Sequence, residues 1–105
     1  MSKFLAKKTT IDGITFDSKK EAQYYLLYKH QEKAGMIKDL KLQVEYPFKI
    51  NNKNMFKYKA DFTYEDENGF HIIDVKSPMT SKLPVYRLKK KIIEEYYNIK
   101  IEEVY

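Results

Sequence analysis

Four residues able to do chemistry stand where their neighbours are apolar or regular: Glu21, Asp61, Asp74 and Lys76. Asp61 interrupts Tyr58-Lys59-Ala60-Asp61-Phe62, and Asp74 interrupts Ile72-Ile73-Asp74-Val75-Lys76. Aspartate is a poor strand residue, so both positions call for a reason. Period two puts Asp74 and Lys76 on one strand face and Ile73 and Val75 on the other. A turn centred on Glu67-Asn68 brings Asp61 opposite Asp74, and one centred on Asn68-Gly69 brings it opposite Lys76. Either register keeps all three on one face, and only an odd-length loop separates them. Two facing aspartates repel unless positive charge lies between them; a divalent cation supplies it, and Lys76 supplies part. Magnesium held by one or two carboxylates, waters and a substrate phosphate is the usual arrangement for phosphoryl transfer, where it lowers the pKa of a bound water and stabilises developing charge. The plainer alternative is a cross-strand ion pair between Asp61 and Lys76, worth about 0.5 kcal/mol on a solvated face. For Glu21 the plainer alternative is a capping box with Ser18.

Composition narrows the metal chemistry. With no cysteine and only His30 and His71 for imidazole, thiolate sites are excluded, and carboxylate oxygens suit Mg²⁺ or Mn²⁺ better than zinc or copper. Twenty Lys/Arg against fifteen Asp/Glu give a net charge of +5, which favours a polyanionic partner. Nothing approaches the roughly 20 apolar residues of a membrane span or forms a signal peptide, so no membrane association and a cytoplasmic location are expected. At 105 residues, the chain is expected to be a single domain with residues 1–16 as an N-terminal extension and hairpin.

The elements that must position these residues follow from periodicity and turn chemistry. Lys8 to Phe16 reads as a hairpin around Asp12-Gly13, able to pair as an edge. Ser18 opens a helix to about Ala34, stopped by Gly35, with Ala22, Tyr25, Leu26 and the Lys29 stem on its apolar face. From Ile37 to Ile50, Leu40, Leu42, Val44, Tyr46 and Phe48 alternate strictly, which predicts a strand whose Pro47 end is an edge or a bulge. The Asn51 to Asn54 cluster turns the chain into a strand from about Phe56 to Tyr64, and Glu65 to Gly69 turns it again into Phe70 to Val75. Ser77 to Leu83 reads as a loop. Pro84 starts a second helix with Val85, Leu88, Ile92 and Tyr96 on its buried stripe and Arg87, Lys90, Lys91 and Glu94 outside it. Ile99 to Val104 is a last strand, able to lie parallel to an earlier one across that helix. The fold class expected is α/β: helices flanking a central mixed sheet.

This order, with Glu21 on the first helix, Asp61 on one strand and Asp74-Val75-Lys76 on the next, resembles the PD-(D/E)xK nuclease superfamily, whose restriction-endonuclease-like core is helix, three antiparallel strands, helix, strand. More narrowly, Phe16 to Ala22, Gly35 to Leu40 with Gln43, Ala60-Asp61-Phe62 and Asp74-Val75-Lys76 resemble a phage family known only as a domain of unknown function and considered similar to Holliday-junction resolvases and endonucleases. The resemblance implies that Asp61 and Asp74 hold the metal with the Val75 carbonyl, that Glu21 completes the metal site, and that Lys76 is the catalytic lysine. Ala60 stands where the motif name has proline, and Asp74 replaces the commoner glutamate.

Gln43, Ser77, Lys82, Tyr86, Lys89 and Lys90 are the candidates for touching nucleic acid. For each, satisfied backbone or a solvated basic surface is the competing reading. Tyr24, Tyr25 and Tyr28 read either as base-stacking or as core residues. The leading expectation is a Mg²⁺- or Mn²⁺-dependent endodeoxyribonuclease acting on duplex or branched phage DNA, dimeric if it cuts two strands. A nucleic-acid-binding module without cleavage is the alternative, and a small structural or host-takeover protein is the third.

Overall fold

Turn chemistry and alternation account for most of the elements. The computed structural model describes residues 8–105. Strands β1 (Thr9–Ile11) and β2 (Ile14–Phe16) pair through a turn in which Asp12 and Gly13 both take left-handed backbone, the geometry favoured in tight hairpins. They form a separate two-stranded sheet rather than an edge of the main one. Phe16 ties that sheet to helix α1 (Lys19–Lys33), its ring 5.0 Å from that of Tyr25.

Helix α1 begins where expected, because the Ser18 hydroxyl accepts the Glu21 N–H at 3.0 Å, and it ends before Gly35 in the left-handed region. Its buried face is Glu21, Ala22, Tyr25 and Tyr28, whereas Leu26, expected inside, is half exposed. Steps of three and four residues from Ala22 reach either Tyr28 or Leu26. Tyr28 prevails because its ring meets both Phe62 and Tyr64, each at 5.1 Å.

The main sheet has the order β3 (Lys38–Ile50), β4 (Lys53–Asp66), β5 (Gly69–Val75), β6 (Ile101–Val104). The first three strands are antiparallel and β6 is parallel to β5. A parallel neighbour requires a crossover, supplied by a short helical turn α2 (Pro78–Ser81) and helix α3 (Pro84–Tyr97). Consecutive residues of β5 show which helix covers which face. Ile73 packs with Ala22, Tyr25 and Tyr28 of α1, while Ile72 packs with Ile93 of α3 and Ile101 of β6. The result is a mixed α/β unit with a helix on each face of a four-stranded sheet.

Three sequence expectations are corrected. The stretch after Lys76 is not all loop: Ser77 caps Pro78–Ser81, its hydroxyl accepting the Thr80 N–H at 3.1 Å. The inward stripe of α3 is the buried Ile93 and the partly buried Tyr86, not Val85 and Leu88, which are 65% and 59% exposed; Tyr96 is half exposed. The sheet beneath the start of α3 carries Glu103, which Tyr86 and Lys90 can satisfy and an aliphatic side chain cannot. Lastly, the alternation along β3 does not address one core. Leu40 and Leu42 pack under α1, but Tyr46 and Phe48 pack under α3.

The same exchange of faces occurs in β4, where Phe62 lies under α1 but Tyr58 and Ala60 lie under α3. Leu42 pairs with Phe62 and Val44 with Ala60, so the switch falls at Gln43 and Asp61. Gln43 has φ 54, a left-handed backbone that breaks the period-two rule locally. The ribbon thus serves one helix with its proximal half and the other with its distal half. The crossover point is where the candidate site lies.

Candidate active site

Asp61 owes its position to the β4–β5 hairpin. Asp66 pairs with Gly69 and Phe62 with Ile73, so Glu67-Asn68 is the two-residue turn and the register continues to set Asp61 across from Asp74. The Asp66 side chain holds that turn by accepting the Asn68 N–H at 2.8 Å. Regular pairing stops at Phe62 and Ile73, and the Asp61 carboxylate takes over, its Oδ2 accepting the Val75 N–H at 2.8 Å.

Asp74 is only 2% exposed, and its carboxylate is held from two sides. The Tyr58 hydroxyl donates to Oδ2, and the Lys76 ammonium lies 3.5 Å from Oδ1. Lys76 also stands over the Tyr86 ring, 4.4 Å from its centroid, a cation–π contact. The Tyr86 hydroxyl donates to Glu103 Oε2 at 2.7 Å, and Lys90 lies 3.4 Å from the same oxygen. Glu103 is the β6 residue paired in parallel with Asp74. A continuous polar path therefore runs from Tyr58 through Asp74, Lys76 and Tyr86 to Glu103 and Lys90.

Glu21 reaches the other side of Asp61. It is 4% exposed, and its Oε2 accepts from Gln43 Nε2 at 3.3 Å. Burial pushes the Glu21 carboxyl up, opposed by hydrogen bonding to Asp61. For Asp61, burial and then the neighbouring Asp74 carboxylate push the carboxyl up to about 8, with the Val75 N–H acting the other way. Burial, then Asp74, drives the Tyr58 phenol far above its usual range, so it stays protonated and remains a donor. Burial acts likewise on Tyr86, followed by its hydrogen bond to Glu103.

Glu21, Asp61, Asp74 and Lys76, which the sequence singled out, are thus drawn into one neighbourhood, with Gln43 beside them. Among the described residues no three His, Asp or Glu side chains are clustered as a ready-made metal cage. The donor set nevertheless fits a hard cation that keeps several waters, because Asp61 and Asp74 are adjacent carboxylates and the Asp74 charge, after burial, raises the proton affinity of Asp61. Of the nucleic-acid candidates, Ser77 caps α2, Tyr86 and Lys90 hold Glu103, and Lys89 lies 5.4 Å from the centre of the Phe56 ring; Lys82 is exposed. Tyr25 and Tyr28 are core, and the Tyr24 hydroxyl donates to the Tyr105 carbonyl. A surface hollow lined in part by Gln31, Met36, Tyr64 and Glu67 lies at the opposite end of α1 from Glu21.

Sequence reasoning missed Tyr58 and Glu103. For Tyr58 there was a signal, a hydroxyl-bearing aromatic in the same strand as Asp61. For Glu103 there was the charged pair inside Ile101-Glu102-Glu103-Val104, legible only once the parallel register to β5 is known.

Residues 1–104 match the model of a family described as "Protein of unknown function (DUF1064)", and the chain belongs to that family. Searches of curated proteins and of solved structures give no match.

Proposed function

For this member of the DUF1064 family, we propose a metal-dependent nuclease of the PD-(D/E)xK type, hydrolysing phosphodiester bonds of DNA with Mg²⁺ or Mn²⁺. One observation carries the reading: two adjacent carboxylates, Asp61 and Asp74, stand at a break in strand pairing with a lysine ammonium 3.5 Å from one of them. The order helix, three antiparallel strands, helix, parallel strand supports a restriction-endonuclease-like core. Asp61, Asp74 and the Val75 carbonyl would hold the cation, with Glu21 next to Asp61. A bound ion would supply Lewis acidity, polarising the scissile phosphodiester and stabilising the charge that develops on it.

This chain's own groups do the rest. Tyr58 fixes one Asp74 oxygen by donating to it, leaving the other beside Lys76. Lys76, oriented by Asp74 and the Tyr86 ring, is placed to neutralise the phosphate or to hold a hydrogen bond to attacking water. As the water oxygen joins phosphorus, the P–O ester bond breaks and a proton ends on the leaving oxygen. Gln43 keeps Glu21 turned inward.

The test is a time course on labelled linear, flapped and four-way-junction DNA with Mg²⁺, Mn²⁺ or EDTA. We expect metal-dependent cutting by wild type and a loss of about 10²–10⁴-fold in Asp74→Ala and Lys76→Ala. DNA left uncut under every condition defeats this reading.

A further inference from the structure

Among the described residues, the distal half of the β3–β4 ribbon is covered on one side only. On that side Tyr46, Phe48, Phe56 and Tyr58 meet α3, with the Tyr46 and Phe48 rings lying edge-on to Tyr97 and Tyr96. Because the ribbon exchanges faces at Gln43 and Asp61, helix α1 serves only the proximal half. Residues of opposite parity on the distal half, Lys49 on β3 and Lys57 and Lys59 on β4, are exposed. Lys57 has one acidic neighbour, Glu45 at 3.2 Å, so the surface keeps a positive surplus.

We propose that this lysine-bearing face is the docking surface for the phosphate backbone of a nucleic-acid duplex, which it guides toward Asp61. The inference rests on the nuclease reading and adds to it the surface that receives the polymer. Charge selects the partner: a protein whose net charge is +5 presents several lysines on a sheet face that no described helix covers. Chemistry selects the duplex over a single strand. Single-strand binders offer aromatic platforms for unstacked bases, and here the ribbon's aromatics are committed to α3. Position ties the face to the site. Lys59 is two residues from Asp61 and Lys57 four, steps of roughly 7 Å and 13 Å along a strand.

The experiment measures binding without cutting. Fluorescence anisotropy in EDTA follows 30-base-pair DNA duplex, RNA duplex and single-stranded DNA as salt is raised. The variant Lys49→Gln/Lys57→Gln/Lys59→Gln is compared with Lys33→Gln/Lys38→Gln/Lys100→Gln, which removes equal charge from exposed positions at the other end of the sheet. We expect the ribbon variant to lose about tenfold or more in duplex affinity at moderate salt. Its slope of log K against log salt should shrink by between about 2 and 3, the change due to three lost phosphate contacts. The distant variant should stay near wild type, and the two duplex arms identify which polymer is taken. Equal weakening in both variants, tighter binding of the single strand, or no duplex binding by wild type overturns the proposal. Duplex binding that follows the ribbon lysines in a protein that cuts nothing keeps this surface and removes the nuclease reading.

Discussion

At the scale of single residues, the site is held by donors that cannot easily be replaced. Asp74 is buried, so its carboxylate must find compensation inside the protein, and Tyr58 and Lys76 provide it. Tyr58→Phe removes one donor while keeping the ring that packs against Ala60, Ile72 and Ile93. The cost should be about 2 kcal/mol in urea denaturation, since a hydrogen bond to a buried charged group is lost without creating a cavity. On the proposed nuclease reading, the same variant should lower metal-dependent turnover more than substrate affinity, because what moves is a carboxylate of the proposed metal site. An unchanged denaturation midpoint would show that Asp74 does not depend on Tyr58. Glu103 plays the parallel part for Lys76, at one remove, by anchoring the Tyr86 ring under the ammonium.

Elements explain why these residues meet and why part of their arrangement was hidden. The two-residue turn at Glu67-Asn68 was one of two registers legible in the sequence, and the strands around it were placed within a few residues, because period two and turn chemistry are local. The exchange of faces at Gln43 was not legible. Leu40 to Phe48 alternates without a break, and only the left-handed backbone at Gln43 turns its two halves to different helices. Helix α3 misled for a related reason: its most apolar stripe faces outward, while Ile93 and Tyr86 face a partly polar sheet. Ile93→Ala should therefore cost about 3 kcal/mol and Leu88→Ala less than about 0.5 kcal/mol, a contrast that chemical denaturation reads directly. At the far end of the sheet, His71 joins β5 to β6 and to the hairpin turn, its Nδ1 2.6 Å from Glu102 and its Nε2 2.8 Å from Asp66. Glu102 foremost, with Asp66 and against burial, raises its pKa above 6.5. A raised folded pKa gives stability that is complete below the unfolded value and is lost as pH rises through the folded one. Wild type should thus lose stability from this group as pH rises above about 6.5, and Glu102→Gln should flatten that slope.

For the molecule as a whole, the carboxylates at the centre of the sheet would, on the proposed metal-dependent reading, set a balance between folding and cation binding. Asp61, pushed up to about 8, holds its proton in the folded chain over a range in which the unfolded chain has released it. Its contribution to stability is therefore present at low pH and falls as pH rises from about 4 toward 8, so the metal-free protein is least favoured by this group where the carboxylate is most ready to bind a cation. A cation that binds only the folded state restores what is lost. At a hundred times its dissociation constant it adds about 2.7 kcal/mol, which for a domain of this size is a rise of roughly 10 °C or more in Tm. Thermal scans with Mn²⁺ should show the full rise at pH 8 and a smaller one at pH 6, where the metal must displace the proton. Asp61→Asn should reverse both halves of the balance, raising metal-free stability at pH 8 by on the order of 1–2 kcal/mol and abolishing the rise with Mn²⁺. A metal-induced rise that survives in Asp61→Asn would place the cation elsewhere, and Asp61 would then be only the side chain that closes the sheet where β4 and β5 part.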